Sequence, residues 1–150
     1  MREETYQLKA GVSVKAFEFI SEGPRGYIKK RVEYQKMKQN TGFEFYNLAF
    51  GDIDEQTNKI DDTVVSDNGD TQKVLATVAS TIFHFIEKYP NAIVHIKGSS
   101  LGRTRLYRMN ISNNLGEISE QFYVLGLLES GRLEPFQSNK NYLAFFIKNK

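Results

Sequence analysis

One segment of the chain, residues 72–89, repeats its apolar side chains at the spacing of an α-helix, and it constrains the fold more than any other feature. Lys88 lies in its last turn and Pro90 follows, which is typical of a helix end. The segments on either side alternate apolar and polar residues, as strands do. A long amphipathic helix between groups of strands indicates the α+β class. The apolar positions of the helix are Val74, Leu75, Val78, Ala79, Ile82, Phe83 and Ile86.

The residues before this helix predict a meander of strands. Residues 12–20 and 27–37 alternate on either side of a turn at 21–26, which indicates a hairpin. Residues 43–50 are apolar or aromatic on both faces, so we expect a central strand there. Residues 51–70 then form a long acidic connection.

The second half of the chain predicts one more helix among strands. Gly98, Ser99 and Ser100 indicate a helix start with a serine as the N-cap, and we expect this helix to end near Ser112. Strands are expected at residues 92–97, 122–128 and 142–147, with a segment at 133–136 that pairs back after a tight turn. We therefore predict a single α+β domain over residues 1–150, in the order β-β-β-α-β-α-β-β. In this prediction a largely antiparallel, curved sheet has two helices packed on one face.

The composition excludes several classes of function. The chain has 150 residues and no cysteine, so it has no disulfide, no thiolate zinc site and no cysteine nucleophile. No apolar stretch is long enough to span a membrane, and the N-terminus lacks the apolar core of a signal peptide. We therefore expect a cytoplasmic protein that does not bind a membrane and needs no cofactor.

The strongest functional signal is the segment from Lys97 to Arg108, which contains four cations and no acid. The predicted helix N-terminus adds hydroxyl and backbone N–H donors, and such an end favours anions. Arginine presents forked donors that match phosphate or carboxylate oxygens. The sequence therefore predicts an anion site formed by Lys97, Ser99, Ser100, Arg103, Arg105 and Arg108.

A second interpretation of the same arginines is structural. The connection at 51–70 contains seven acidic residues and only Lys59 as a cation. In this interpretation the acidic connection is held against the helix by ion pairs with Arg103, Arg105 and Arg108, and these arginines do not face a partner. The connection is not an EF-hand, because the glycine and glutamate that such a loop needs are missing, and we expect no metal.

Four further residues are secondary candidates. His95 is expected on the strand face opposite Val94, and its strand leads directly into the basic segment from Lys97 to Arg108. Asp52 and Asp54 are carboxylates that could act in acid–base or metal-assisted chemistry. Tyr107 is expected near Arg103. An enzyme requires His95 or one of the two carboxylates to face the basic segment, so enzymatic activity stays an open alternative.

Four runs of sequence are distinctive as a set: residues 19–26, 45–52, 68–78 and 98–107. Together they resemble a family of short bacterial proteins that consist of a domain of unknown function. The resemblance covers nearly the whole chain. It implies a bacterial protein with a single domain, and it implies no activity and no catalytic residues.

These observations lead to three hypotheses of function. The first is a non-enzymatic accessory module that binds an anionic partner, which is a nucleic acid, a nucleotide or an acidic protein surface. The second is an enzyme that processes nucleic acid or nucleotides in a system of the toxin–antitoxin kind. The third is a protein-interaction module or homodimer that uses an exposed sheet edge or the surplus of aromatic residues, 11 Phe and 8 Tyr.

Overall fold

The computed structural model describes residues 4–9, 15–38, 42–61 and 67–150. These residues form three helices and eight strands in a mostly antiparallel open sheet, so the predicted α+β class is confirmed. The strands are β1 (Ala16–Gly23), β2 (Gly26–Lys36), β3 (Glu44–Asp54), β4 (Lys59–Asp61), β5 (Ala92–Ile96), β6 (Phe122–Leu127), β7 (Leu133–Pro135) and β8 (Ala144–Asn149). The helices are α1 (Thr71–Lys88), α2 (Leu101–Asn113) and α3 (Leu115–Gln121).

The strands follow the order β1-β2-β3-β5-β8-β6-β7, and β4 pairs with β3 off this path. β3 and β5 are parallel, whereas the pairs β1–β2, β3–β4, β5–β8, β6–β8 and β6–β7 are antiparallel. A parallel pair needs a long crossover connection, and the segment that contains α1 provides it. No helix in the described ranges is both long and apolar enough to cross a membrane.

The observed order adds β4 and α3 to the predicted one, and the segment at 133–136 that is predicted to pair back is observed as β7, antiparallel to β6. β4 forms because the chain turns back after Asp54, where Asn58 has a φ of 57° and its N–H donates to the Asp54 carbonyl at 2.7 Å. α3 is separate from α2 because the helical geometry is interrupted at Asn114, which has a φ of −116°. The predicted strand start at residues 12–14 lies outside the described residues.

The packing of the chain divides it into two compact units. The first unit comprises Met1–Gln35 and Ala49–Lys88, and the second comprises Lys36–Leu48 and Tyr89–Lys150.

The core of the first unit is built on α1. The ring of Tyr34 stacks on Phe85 with centroids 4.0 Å apart, and its hydroxyl lies 2.7 Å from Thr81 Oγ1. Phe19 of β1 stacks on Phe50 of β3 at 6.2 Å. Six of the seven apolar positions predicted for this helix are buried; Phe83 is only half-buried, and Phe85, which the prediction omitted, is fully buried instead.

A buried polar network holds the segment before α1 against the β1–β2 hairpin. The Asn68 amide donates to Ser21 Oγ at 3.2 Å and to the Gly26 carbonyl at 3.0 Å. Its oxygen accepts the N–H of Arg25 at 2.7 Å. Asp70, the residue before α1, accepts hydrogen bonds from the hydroxyls of Tyr6 and Ser21.

The sheet of the second unit has one buried face. Val94 of β5, Ile147 of β8 and Val124 of β6 lie in one row of this face, and all three are buried. Gly126 lies on the same face, and a Cβ there would come within 2.3 Å of the Tyr142 ring. The strand residues that alternate with these point to the opposite side, which we call the open face.

Candidate functional site

The sequence predicts a serine N-cap for α2, Ser99 or Ser100, and the structure shows that it is Ser100. Ser100 has extended backbone angles (φ −144°, ψ 165°), and its side chain accepts a hydrogen bond from the N–H of Arg103 at 3.2 Å. The N–H of Thr104 donates to the Ser100 carbonyl at 3.0 Å. The Ser100 hydroxyl is therefore used to cap the helix, and Arg103 contributes its backbone to that cap.

The loop before α2 is held against the first helical turn. The N–H of Gly98 donates to Thr104 Oγ1 at 3.0 Å. A Cβ at Gly98 would lie 2.4 Å from the Thr104 nitrogen, so the close approach requires glycine. This contact positions the start of α2 relative to β5.

One face of α2 lines a groove of about 790 Å³ within the second unit. Arg105 and Arg108 lie on this face together with Leu101 and Thr104, because positions three and four apart are neighbours on a helix. The other wall comes from the β6–β7 turn and from the segment before β8. We call this feature the arginine groove; its remaining lining residues are Leu128, Glu129, Ser130, Asn141, Tyr142 and Leu143.

The arginine groove has a positive balance of charge. Arg108 donates a hydrogen bond to the side-chain oxygen of Asn141. Arg105 is exposed and makes no hydrogen bond or ion pair within the described part of the second unit. Glu129 is the one carboxylate among the lining residues, and it forms no ion pair with either arginine. The groove therefore presents two guanidinium groups against one carboxylate.

The other predicted anion ligands do not line this groove. Lys97 and Ser99 are exposed and precede α2 in the chain. Arg103 is half-buried, and at about 100° per residue it points roughly 160° away from Arg105 around the helix. The structure thus brings together two of the six predicted residues.

Tyr107 contributes to packing. Its side chain is only 7% exposed, on the face of α2 that is buried in the second unit. An aromatic ring at this depth stabilises the helix rather than contacting a dissolved partner.

His95 lies on the open face, opposite the buried Val94, as alternation along the strand predicts. Its Nδ1 is 2.9 Å from Asn47 Oδ1, and its ring centroid is 5.2 Å from that of Phe146. Burial lowers the pKa of His95 below its usual value, and the positive charge of Lys97 lowers it further. The neutral ring then donates from Nδ1 to the Asn47 oxygen and presents Nε2 as an acceptor.

Asp52 and Asp54 are both used inside the first unit. Asp52 Oδ1 lies 2.6 Å from Lys30 Nζ. Asp54 Oδ1 accepts the N–H of Gln56 at 2.9 Å in the turn between β3 and β4. In the described ranges no group of three or more His, Cys, Asp or Glu side chains is placed to hold a metal ion.

The predicted pairing of the arginines with the acidic connection stays a prediction. Within their own units, Asp52 pairs with Lys30, Asp70 accepts from Tyr6 and Ser21, and Arg108 donates to Asn141. Asp62, another acidic residue of the connection, lies outside the described residues.

Sequence reasoning missed Thr104, Glu129 and Asn141 as residues of the groove. Thr104 could have been found, since it lies three and four positions from Leu101 and Arg108 on the same helical face. Glu129 and Asn141 come from irregular segments distant in sequence, and no local pattern marks them.

A model described as "Family of unknown function (DUF6934)" matches residues 2–150, so the predicted resemblance to a domain-of-unknown-function family of this length is confirmed. No curated protein and no solved structure matches the chain.

Proposed function

We propose that this chain, which belongs to the family of unknown function DUF6934, is a non-enzymatic module that binds an anionic partner through the arginine groove. The observation that carries the proposal is the placement of Arg105 and Arg108 on one wall of a groove of about 790 Å³. A guanidinium group donates two parallel N–H bonds to phosphate or carboxylate oxygens. Two such groups side by side favour a ligand with more than one anionic oxygen.

The apolar part of the groove favours a ligand that is larger than a single anion. Leu101 is 86% exposed and Leu143 is 39% exposed, and both line the groove. Pockets for organic ligands combine apolar walls with a few polar groups that fix orientation. A nucleotide or a segment of nucleic acid, with a base or sugar beside its phosphates, therefore fits better than inorganic phosphate.

The side chains in the groove favour binding over catalysis. The lining residues contain one carboxylate, Glu129, and no histidine. The Tyr142 hydroxyl donates to Glu134 at 2.6 Å, and Asp52 is paired with Lys30. A hydrolytic enzyme needs a base held near a nucleophile, and none of these contacts supplies that arrangement.

The test is a binding measurement on the full chain with nucleoside triphosphates, RNA and DNA at about 50 mM and 200 mM salt. We expect saturable binding that weakens as salt increases, and for nucleoside triphosphates a loss of about tenfold or more in the double variant Arg105→Ala/Arg108→Ala. Arg25→Ala is the matched control, because Arg25 is an exposed arginine of the first unit.

Two outcomes would overturn the proposal: no saturable binding of nucleoside triphosphates, RNA, DNA or an acidic peptide, or nucleoside triphosphate binding that the double variant leaves unchanged. If an acidic peptide binds and nucleotides do not, the groove remains the proposed binding site, but the proposal that its ligand carries phosphate is wrong.

A further inference from the structure

The open face of the second unit carries several aromatic rings. Val94 and Ile96 of β5 point to the buried face, so His95 points to the open face. The register places Asn47 of β3 and Phe146 of β8 directly beside His95.

Four neighbouring strands each contribute one ring to this face. Phe45 belongs to β3, His95 to β5, Phe146 to β8 and Tyr123 to β6. The Phe146 ring lies 5.2 Å from His95 and 6.2 Å from Phe45. Tyr123 is 54% exposed, and the other three are half-buried. Each ring therefore has part of its surface accessible to solvent.

Lysines lie among and beside these rings. Lys148 pairs with Tyr123 across β8 and β6 and points to the open face. Lys150 Nζ is 5.6 Å from the centroid of the Tyr123 ring. Lys97 is exposed and comes directly after β5. In the paired parts of β3, β5, β6 and β8, no residue that points to the open face is acidic.

We propose that this open face binds single-stranded nucleic acid, with unpaired bases stacked on Phe146, Tyr123 and their neighbouring rings. Proteins that bind single strands combine aromatic stacking surfaces with cations that follow the backbone. Lys148 and Lys150 supply the cations next to the rings. The hydrogen-bonded pair of Asn47 and His95 adds polar side chains to the same face.

The charge on this face favours nucleic acid over a protein partner. Lysine is depleted in protein–protein interfaces, whereas aromatic residues are enriched there. The aromatic rings alone would suit either partner. The lysines beside Tyr123 complement a phosphate backbone, and no acidic residue of the paired parts of β3, β5, β6 and β8 points to this side.

This inference does not rest on the proposed function of the arginine groove. The two surfaces share no residue. Gly126 points to the buried face, where it approaches Tyr142 of the groove, and Leu125 beside it points to the open face. The groove and the open face thus lie on opposite sides of β6.

The test is the fluorescence anisotropy of a labelled uridine-rich RNA and of a DNA of equivalent sequence, each single-stranded, with the full chain. Tyr123→Leu and Phe146→Leu keep an apolar side chain and remove the aromatic face. We expect each to weaken binding by about tenfold. Tyr27→Leu is the control, because Tyr27 is 79% exposed and belongs to the first unit. Lys148→Gln should make the negative slope of log affinity against log salt less steep, by about 0.7.

Three results would overturn the inference. The first is that neither single strand binds saturably. The second is that a duplex of the same sequence binds as tightly as the single strands. The third is that Tyr123→Leu binds the single strands as tightly as the unsubstituted protein does. Should Phe146→Leu fail to fold, Tyr123→Leu still decides, because that side chain is largely exposed. The variant Arg105→Ala/Arg108→Ala separates the two proposals, since binding through the open face should persist in it.

Discussion

The ammonium group of Lys30 lies 2.6 Å from a carboxylate oxygen of Asp52, and both side chains are largely shielded from water, at 6% and 15% exposure. The same ammonium group lies over the ring of Phe50, with Nζ 5.8 Å from the ring centroid. Alternation along β2 puts Lys30 on the same strand face as Tyr34, which packs on α1. The pair is therefore a structural element of the first unit.

The first prediction concerns this pair. Asp52→Ala removes the carboxylate from a lysine that is shielded from water, and we expect the free energy of unfolding to fall by about 3 kcal/mol. The double variant Lys30→Met/Asp52→Leu removes both charges and should recover most of that loss. Urea unfolding followed by circular dichroism measures both. Glu55→Ala, at an exposed acid in the following turn, is the control. A loss in Asp52→Ala no larger than in the control would contradict this role.

The second prediction concerns Asn68, which is 2% exposed and makes three hydrogen bonds across the hairpin. Asn68→Ala leaves their partners unsatisfied in a buried place, so we expect a loss of about 2–3 kcal/mol in the free energy of unfolding. Asn91→Ala, in an exposed turn, should change it by less than about 0.5 kcal/mol. Equal effects of the two substitutions would show that the network contributes no net stability.

The third prediction concerns the pH dependence that follows from His95. Because its pKa is lowered in the folded protein, the unfolded chain binds more protons as the pH falls below the usual value of 6.5. The stability contributed by the neutral ring is therefore complete above pH 6.5, and it is lost as the pH falls from there through the folded pKa.

The measurement for His95 is urea unfolding at about pH 7.5 and pH 5.5. His95→Gln should reduce the decrease in stability between these two values. His84→Gln, at an exposed position of α1, is the matched control. If the free energy of unfolding falls by the same amount in His95→Gln and in the unsubstituted protein, His95 is not the source of the pH dependence.

The fourth prediction contrasts two glycines of the second unit. Gly126→Ala puts a methyl group against the Tyr142 ring, which cannot move easily because its hydroxyl is bonded to Glu134 and to the N–H of Gln137. We expect a loss of about 2 kcal/mol. Gly116→Ala lies in α3 with nothing within 4 Å of the added carbon, and it should stabilise the protein by about 0.5–1 kcal/mol. Differential scanning calorimetry distinguishes the two signs, and a stabilising Gly126→Ala would contradict the observed packing.

The elements defined by local patterns could be predicted from the sequence. α1 is observed at Thr71–Lys88, within one residue of the prediction at each end, because apolar spacing and Pro90 are both local signals. The Ser100 cap follows from a small polar residue that precedes a helical pattern. Alternation in β5 correctly placed His95 opposite Val94.

The features that depend on strand order could not be predicted. Phe45 and Phe146 are about a hundred residues apart in sequence, and they meet only because β5 lies between β3 and β8. Asn141 reaches Arg108 from an irregular segment. Lys30 and Arg31 look like a solvated stretch of β2, yet ion pairs with Asp52 and Glu18 allow both to be buried.

The short strand β7 also bears on the predicted homodimer, which stays a prediction. β7 lies at one end of the strand order, has only three residues and ends in Pro135, which has no backbone N–H. A strand from another copy would find few hydrogen-bonding groups on this edge, and growth of the sheet into larger assemblies is disfavoured there. We therefore expect that the β7 edge does not start strand-by-strand aggregation when the protein is concentrated.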